Sequence, residues 1–107
     1  MRVGGWLPGT GARPNMAGSV LMGLPRPGAL EFAGTVGSGL SVAELRELTA
    51  LLELAEQPVS PFTGPLPAAV SRQARWARPV LAAEVTYLER TPSGRLRQPV
   101  WRGLRPG

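Results

Sequence analysis

Apolar residues come in short bursts along most of this chain, and most bursts end at a glycine or a proline. RVGGWL (2–7) is the first, stopped by Pro8-Gly9, the pattern of a strand followed by a turn. After the polar stretch TGARPN comes a second run, GSVLMGL (18–24), and then RPG (26–28) with turn chemistry. In ALEFAGTVG (29–37), Leu30 and Phe32 alternate with Glu31, Ala33 and Thr35, so residues 18–37 predict a hairpin. One stretch changes period. In SVAELRELTALLELAE (41–56), Val42, Leu45, Leu48, Leu51, Leu52 and Ala55 recur at spacings of three and four, which predicts a helix with one apolar face. Ser41 with Glu44 three residues later is a capping box at its start.

QPVSPFTGPLP (57–67) holds four prolines and predicts a long surface connection rather than a regular element. VLAAEVTYLER (80–90) then predicts a strand, TPSG (91–94) a turn, and RLRQPVW a returning strand that Pro99 ends or confines to an edge. Three strands, a helix, a long loop and two strands is the connectivity of a mainly β domain. It fits a five-stranded OB-fold barrel with its one helix between strands 3 and 4.

Composition narrows the chemistry. The 107 residues include 14 glycines and 12 prolines, which suits short strands and turns in one small domain. There is no Cys, His, Lys or Asp: all 12 cations are Arg and all 7 anions are Glu. The chain therefore has no thiolate, no imidazole base and no lysine nucleophile, and no metal site is expected from it. A net charge of +5 carried wholly by guanidinium groups points to a polyanionic partner, nucleic acid or nucleotide. No apolar run is long enough for a signal peptide or a membrane span, so the chain reads as soluble and intracellular, with no membrane partner.

Two basic stretches are the candidate sites. In the tail GRLRQPVWRGLRPG (94–107), Arg95 and Arg97 share one face of a strand, about 7 Å apart, opposite Leu96. Trp101 suits burial, while Arg102 and Arg105 flank a glycine and can converge on one anion. SRQARWAR (71–78) offers Arg72, Arg75 and Arg78 around Trp76, either for backbone contact and stacking or with Trp76 plugging the barrel. GTVGSGL (34–40) fits neither common glycine-rich phosphate loop and predicts a tight turn. Glu84 and Glu89, five apart on the predicted strand, point to opposite faces and make no catalytic pair.

GGWLPG (4–9), GSVLMG (18–23), GTVGSGLS (34–41), SPF (60–62), RPVLAAEV (78–85) and TPSGRLRQPVWRGLR (91–105) occur in that order. Together they resemble the C-terminal OB domain of bacterial ATP-dependent DNA ligases of the non-homologous end-joining type, from about residue 3 to residue 105. The resemblance implies one such domain over 1–107, partnered by an adenylation domain in cis or in trans. That partner supplies the lysine which ATP, with Mg²⁺, adenylates. It also implies that Arg102 and Arg105 face the β- and γ-phosphates of ATP. Arg95 and Arg97, with Arg72, Arg75 and Arg78 as further candidates, would meet the backbone of nicked double-stranded DNA. It places the activity in the bacterial cytoplasm, at the nucleoid.

The departures are Thr35, Arg90 and Gln98, where the family often carries arginine, tryptophan and histidine. Pro106-Gly107 likewise stands where the family continues with an acid and a lysine. Having no lysine, the chain is not expected to ligate alone. The competing expectation is a stand-alone nucleic-acid-binding OB module.

Overall fold

A computed structural model of the chain describes residues 1–9 and 17–105. The predicted loop TGARPN and the departure at Pro106-Gly107 lie outside the described residues. In chain order the elements are β1 (Arg2–Pro8), β2 (Ala17–Arg26), β3 (Ala29–Val36), α1 (Val42–Leu54), β4 (Glu56–Gln57) and α2 (Ala68–Gln73). They continue with β5 (Arg75–Ala77), β6 (Ala82–Thr86), β7 (Glu89–Arg90), β8 (Leu96–Arg97) and β9 (Val100–Arg105).

The mainly β class and the helix after the third strand hold, but among the described residues nine strands and two helices stand where five strands and one helix were expected. Seven form one sheet, ordered β3-β2-β1-β5-β4, with β6 also pairing β1 and carrying β9. β7 and β8 form a separate two-stranded ribbon. The sheet does not close into a barrel. Among the described residues β3 and β9 share no ladder, and the main-chain bond from Trp101 N–H to the Ser38 carbonyl (2.8 Å) spans the gap. Gly39 makes that approach possible: its φ is +89°, and a Cβ there would lie 2.6 Å from the Trp101 carbonyl oxygen.

The sheet is buried on both faces, which explains why the apolar runs in β1 and β2 look continuous rather than alternating. Val20 and Met22 point to the main core with Val3, Trp6, Val36 and Trp101. Leu21, between them in sequence, points outward to a second core with Leu30, Phe32 and Phe62. The proline-rich connection builds that second core. Thr63 N–H donates to the Leu30 carbonyl (2.9 Å), seating Phe62 edge-on to Phe32 with ring centroids 5.3 Å apart. A Cβ on Gly4 would fall 2.4 Å from the Phe62 ring, so β1 must be bare there. Trp76 packs edge-on to Phe62 at 6.3 Å, on the outer side of the sheet. Of the two alternatives for Trp76, plugging a barrel therefore does not hold.

α1 caps the main core. Its capping box is complete, with Glu44 N–H donating to Ser41 Oγ and Ser41 N–H donating to Glu44 Oε1, both 3.1 Å. Leu45, Leu48 and Leu52 are buried, each worth about 1.5–3 kcal/mol of transfer free energy. Val42 and Leu51, assigned to the same face by spacing, are about 40% exposed instead, because the sheet covers a narrower arc than the apolar stripe. Thr49 takes a buried place. Its hydroxyl donates to the Leu45 carbonyl (2.6 Å) and accepts from Ala17 N–H (3.1 Å), tying the helix to the start of β2.

The predicted strand 80–90 is broken. β6 ends at Thr86, Tyr87 and Leu88 belong to no strand, and β7 resumes at Glu89. Arg97 ends β8, and Gln98 with φ +50° turns the chain into β9. Residues 87–99 thus fold back as an excursion between paired strands, and this supplies two of the unexpected short strands.

Candidate nucleotide and nucleic-acid interface

β9 carries two exposed candidates of the tail, Arg102 and Arg105, on a defined face. It pairs antiparallel with β6, matching Ala82 to Arg105, Ala83 to Leu104, Glu84 to Gly103, Val85 to Trp101 and Thr86 to Val100. Arg102 is the extra residue, a bulge opposite the Glu84–Val85 step. In a regular strand residues three apart face opposite ways. Here the bulge shifts the parity, and Trp101 and Leu104 both line a groove of about 200 Å³ against Glu44, Glu47, Leu48 and Leu51 of α1. Arg102 and Arg105 therefore share the other face. Arg102 Nε–H donates to Thr86 Oγ1 (3.1 Å), which fixes the stem and leaves the guanidinium's end nitrogens outward. Trp101 is buried, as its spacing suggested.

The arginines just before β9 are held differently. Arg95 Nη1 donates to the Phe32 carbonyl (3.2 Å), and its guanidinium carbon lies 4.7 Å from the Phe32 ring centroid. Arg97 pairs with Glu89 at 2.9 Å across the β7–β8 ribbon. Leu96 is buried between them, but β8 holds only Leu96 and Arg97, so Arg95 does not share a strand face with Arg97 as expected. Arg90 pairs with Glu31 at 3.2 Å and also donates to the Gly94 carbonyl. Glu31 takes Arg26 as a second partner at 3.2 Å. The bond from Arg26 is the main cause holding the Glu31 carboxyl below its ordinary value; desolvation opposes it, and the bond from Arg90 adds to the lowering.

The second basic stretch is spread out. Arg75 binds Glu56 through two bonds of 2.8 Å, which raise its pKa further, and its guanidinium lies 5.0 Å from the Trp6 ring centroid. Arg72 is exposed on α2 and Arg78 is exposed just past β5. β5 and β6 hang from the same edge of β1, at Gly5–Trp6 and at Arg2 respectively, so the two basic sets occupy separate strands of one sheet. Of the seven candidates, Arg75 and Arg97 carry a glutamate partner. Arg72, Arg78, Arg95, Arg102 and Arg105 carry none among the described residues.

Four participants were not foreseen. Glu31 anchors the excursion to β3, Thr86 orients Arg102, and Glu84 lies on the arginine face opposite Gly103, between Arg102 and Arg105. Ala17 N–H reaches Thr49. Each is a pairing between distant residues, and no local periodicity encodes it. Glu84 and Glu89 sit on separate strands, and Glu89 is engaged by Arg97. Ser38 and Gly39 do form the tight turn expected in GTVGSGL.

The sequence model for the "ATP dependent DNA ligase C terminal region" matches residues 13–107. The chain belongs to this family. The multifunctional non-homologous end joining DNA repair protein LigD of Mycobacterium tuberculosis is 52% identical over 97% of this chain. The chain spans only 14% of that protein's length. The crystal structure of the ligase domain from M. tuberculosis LigD superimposes with a TM-score of 0.91 at 50% identity, covering 98% of this chain and 34% of that one. A mycobacterial DNA ligase D complexed with ATP and MES gives 0.85 at 50% identity, covering 98% and 33%. Family membership thus makes this a ligase C-terminal region related to the end-joining enzymes. No helix among the described residues is long and apolar enough to cross a membrane.

Proposed function

We propose that residues 1–107 act as the OB-type domain of an ATP-dependent DNA ligase used in end-joining repair. The observation that carries this reading is the bulged β9. It sets Arg102 and Arg105 on one face with no carboxylate partner among the described residues, in a family defined by ATP-dependent ligation. In the ATP step the domain closes over an adenylation domain, in cis or in trans, and the two guanidiniums meet the β- and γ-phosphates. Fixed positive charge there opposes the charge that develops on departing pyrophosphate, and Thr86 holds one of the two in place beforehand. Among the described residues no group of three or more acidic side chains gathers to hold a metal ion. A Mg²⁺ accompanying ATP would therefore draw its protein ligands from elsewhere.

The sequence holds no lysine, so the nucleophile comes from the partner domain. In the sealing steps the domain turns and clamps nicked duplex DNA. Arg72 and Arg78, and the outward parts of Arg75, Arg95 and Arg97, then supply backbone contacts.

The test assembles the chain with a matching adenylation domain and follows enzyme–AMP formation and closure of a pre-adenylated nick separately. Arg102→Ala or Arg105→Ala is expected to slow enzyme–AMP formation about a hundredfold, and closure far less. Equal loss at both steps removes the assigned role. If the chain fails to stimulate either step and binds single strands as well as nicked duplex, it is a stand-alone binding module instead.

A further inference from the structure

We propose that the groove between α1 and β9 receives an arginine or lysine side chain from a partner protein. The stem of that side chain lies on the groove's leucines and its charged head at Glu44 and Glu47. The inference goes beyond the ligase reading and does not rest on it.

One face of the helix and one strand build the groove. Glu44, Glu47, Leu48 and Leu51 fall at spacings of three and four on α1, and Trp101 and Leu104 face them from β9. Between those two, Gly103 leaves the wall open, since a Cβ there would meet no atom within 4 Å. Leu48 and Trp101 are buried, while Leu51 is 40% exposed and Leu104 43%. The volume of about 200 Å³ falls below the roughly 300–1,000 Å³ of pockets that enclose small molecules, so the space suits a side chain.

Charge selects the occupant. α1 holds three glutamates and one arginine, in a chain of 7 glutamates and 12 arginines, so it is an acidic element of a basic domain. Neither Glu44 nor Glu47 is paired with an arginine among the described residues. The capping box accounts for Glu44. Glu47 lies beyond the first turn and makes no hydrogen bond or ion pair among the described residues. Two carboxylates one turn apart repel each other, which a phosphate would worsen and a cation relieves. An apolar wall beside two carboxylates is what a long basic side chain needs, because its methylene stem buries while its head stays polar. The groove also lies across β9 from Arg102 and Arg105, so its occupant leaves the arginine face open.

The test titrates the isotope-labelled chain with a capped leucine–arginine–leucine tripeptide and follows it by NMR. The methyl signals of Leu48, Leu51 and Leu104 and the Trp101 indole N–H should shift together, with a dissociation constant on the order of 1 mM. Glu47→Gln should weaken binding about threefold and reduce its dependence on salt. Leu51→Gln should weaken it about fivefold. Both side chains are exposed on the helix, so neither change should move the melting temperature. The matching leucine–glutamate–leucine tripeptide should leave the four signals in place. If it shifts them as far as the arginine peptide does, the groove is merely apolar and the proposal falls. It falls equally if the arginine peptide moves none of them at ten times the expected constant, or if Glu47→Gln binds it as tightly as the parent. Signals that move instead with a single-stranded oligonucleotide would make this a nucleic-acid surface and overturn the assignment to a protein.

Discussion

Arg95 and Arg102 lie seven positions apart in sequence and are held in opposite ways. Arg95 is folded down onto the sheet, its guanidinium over Phe32 and bonded to that residue's carbonyl. Arg102 is steadied only at its Nε by Thr86 and presents the rest of its fork outward. The same division runs through their neighbours. Arg90 and Arg97 are spent on Glu31 and Glu89, which fasten the excursion 87–99, while Arg105 on β9 meets no carboxylate among the described residues. A run that reads as uniformly basic is two different things: a set of structural rivets followed by a charged face. Local sequence alone does not tell them apart, because the deciding residues, Glu31 and Phe32, lie about sixty positions upstream.

Crossed substitutions test the division, and the largest effect belongs to the free set. Arg102→Ala should cost about two orders of magnitude in enzyme–AMP formation while moving stability by about 0.5 kcal/mol or less, as expected for an exposed side chain. Arg95→Ala should do the reverse in kind, lowering unfolding free energy by about 1–2 kcal/mol through loss of a charged hydrogen bond and a cation–π contact. Urea midpoints measure it. If Arg95→Ala leaves the midpoint unchanged, the rivet description fails.

A smaller effect follows from Glu31. Its folded-state pKa is depressed, chiefly by the bond from Arg26, so its contribution to stability is fully present above the unfolded-state pKa of about 4.3. That contribution fades as pH falls through the lower folded-state value. The stability gap between the parent and Glu31→Gln should therefore be open at neutral pH and close on acidification. A gap that widens in acid would reverse the sign argued here. Smallest of all, Glu84→Gln removes a carboxylate whose residue lies in register with Gly103, between Arg102 and Arg105. It should tighten binding of a phosphate-rich ligand about twofold at low salt, within the range of exposed charge pairs.

The sequence pattern reached β1, the β2–β3 hairpin, the capped helix and the burial of Trp101, because each is written in local spacing. α1's box is the clearest case, since Ser41 and Glu44 are both signal and mechanism. The pattern missed α2, the break at Tyr87-Leu88 and the outer core. The outer core depends on the proline-rich connection crossing back over β3, where Phe62 meets Leu30 and Phe32, and the excursion after Thr86 depends on the distant pair Arg90–Glu31. It also overcounted α1's inward face: Leu51 satisfies the helical period as well as Leu52 does, but only Leu52 lies under the sheet. For the site, residue type and order were enough to single out Arg102 and Arg105. That they could converge was expected from the glycine between them, but the bulge against β6 that sets them on one face is revealed only by the register.

The hydrogen bond between Trp101 and Ser38 also bears on how the sheet would open. A closed barrel must break a ladder first, whereas among the described residues β3 and β9 share none and a main-chain bond joins Trp101 to the turn before α1. An opening at that seam would leave β9 attached along β6, with its arginines carried on that strand. Strengthening the seam should make the domain harder to open.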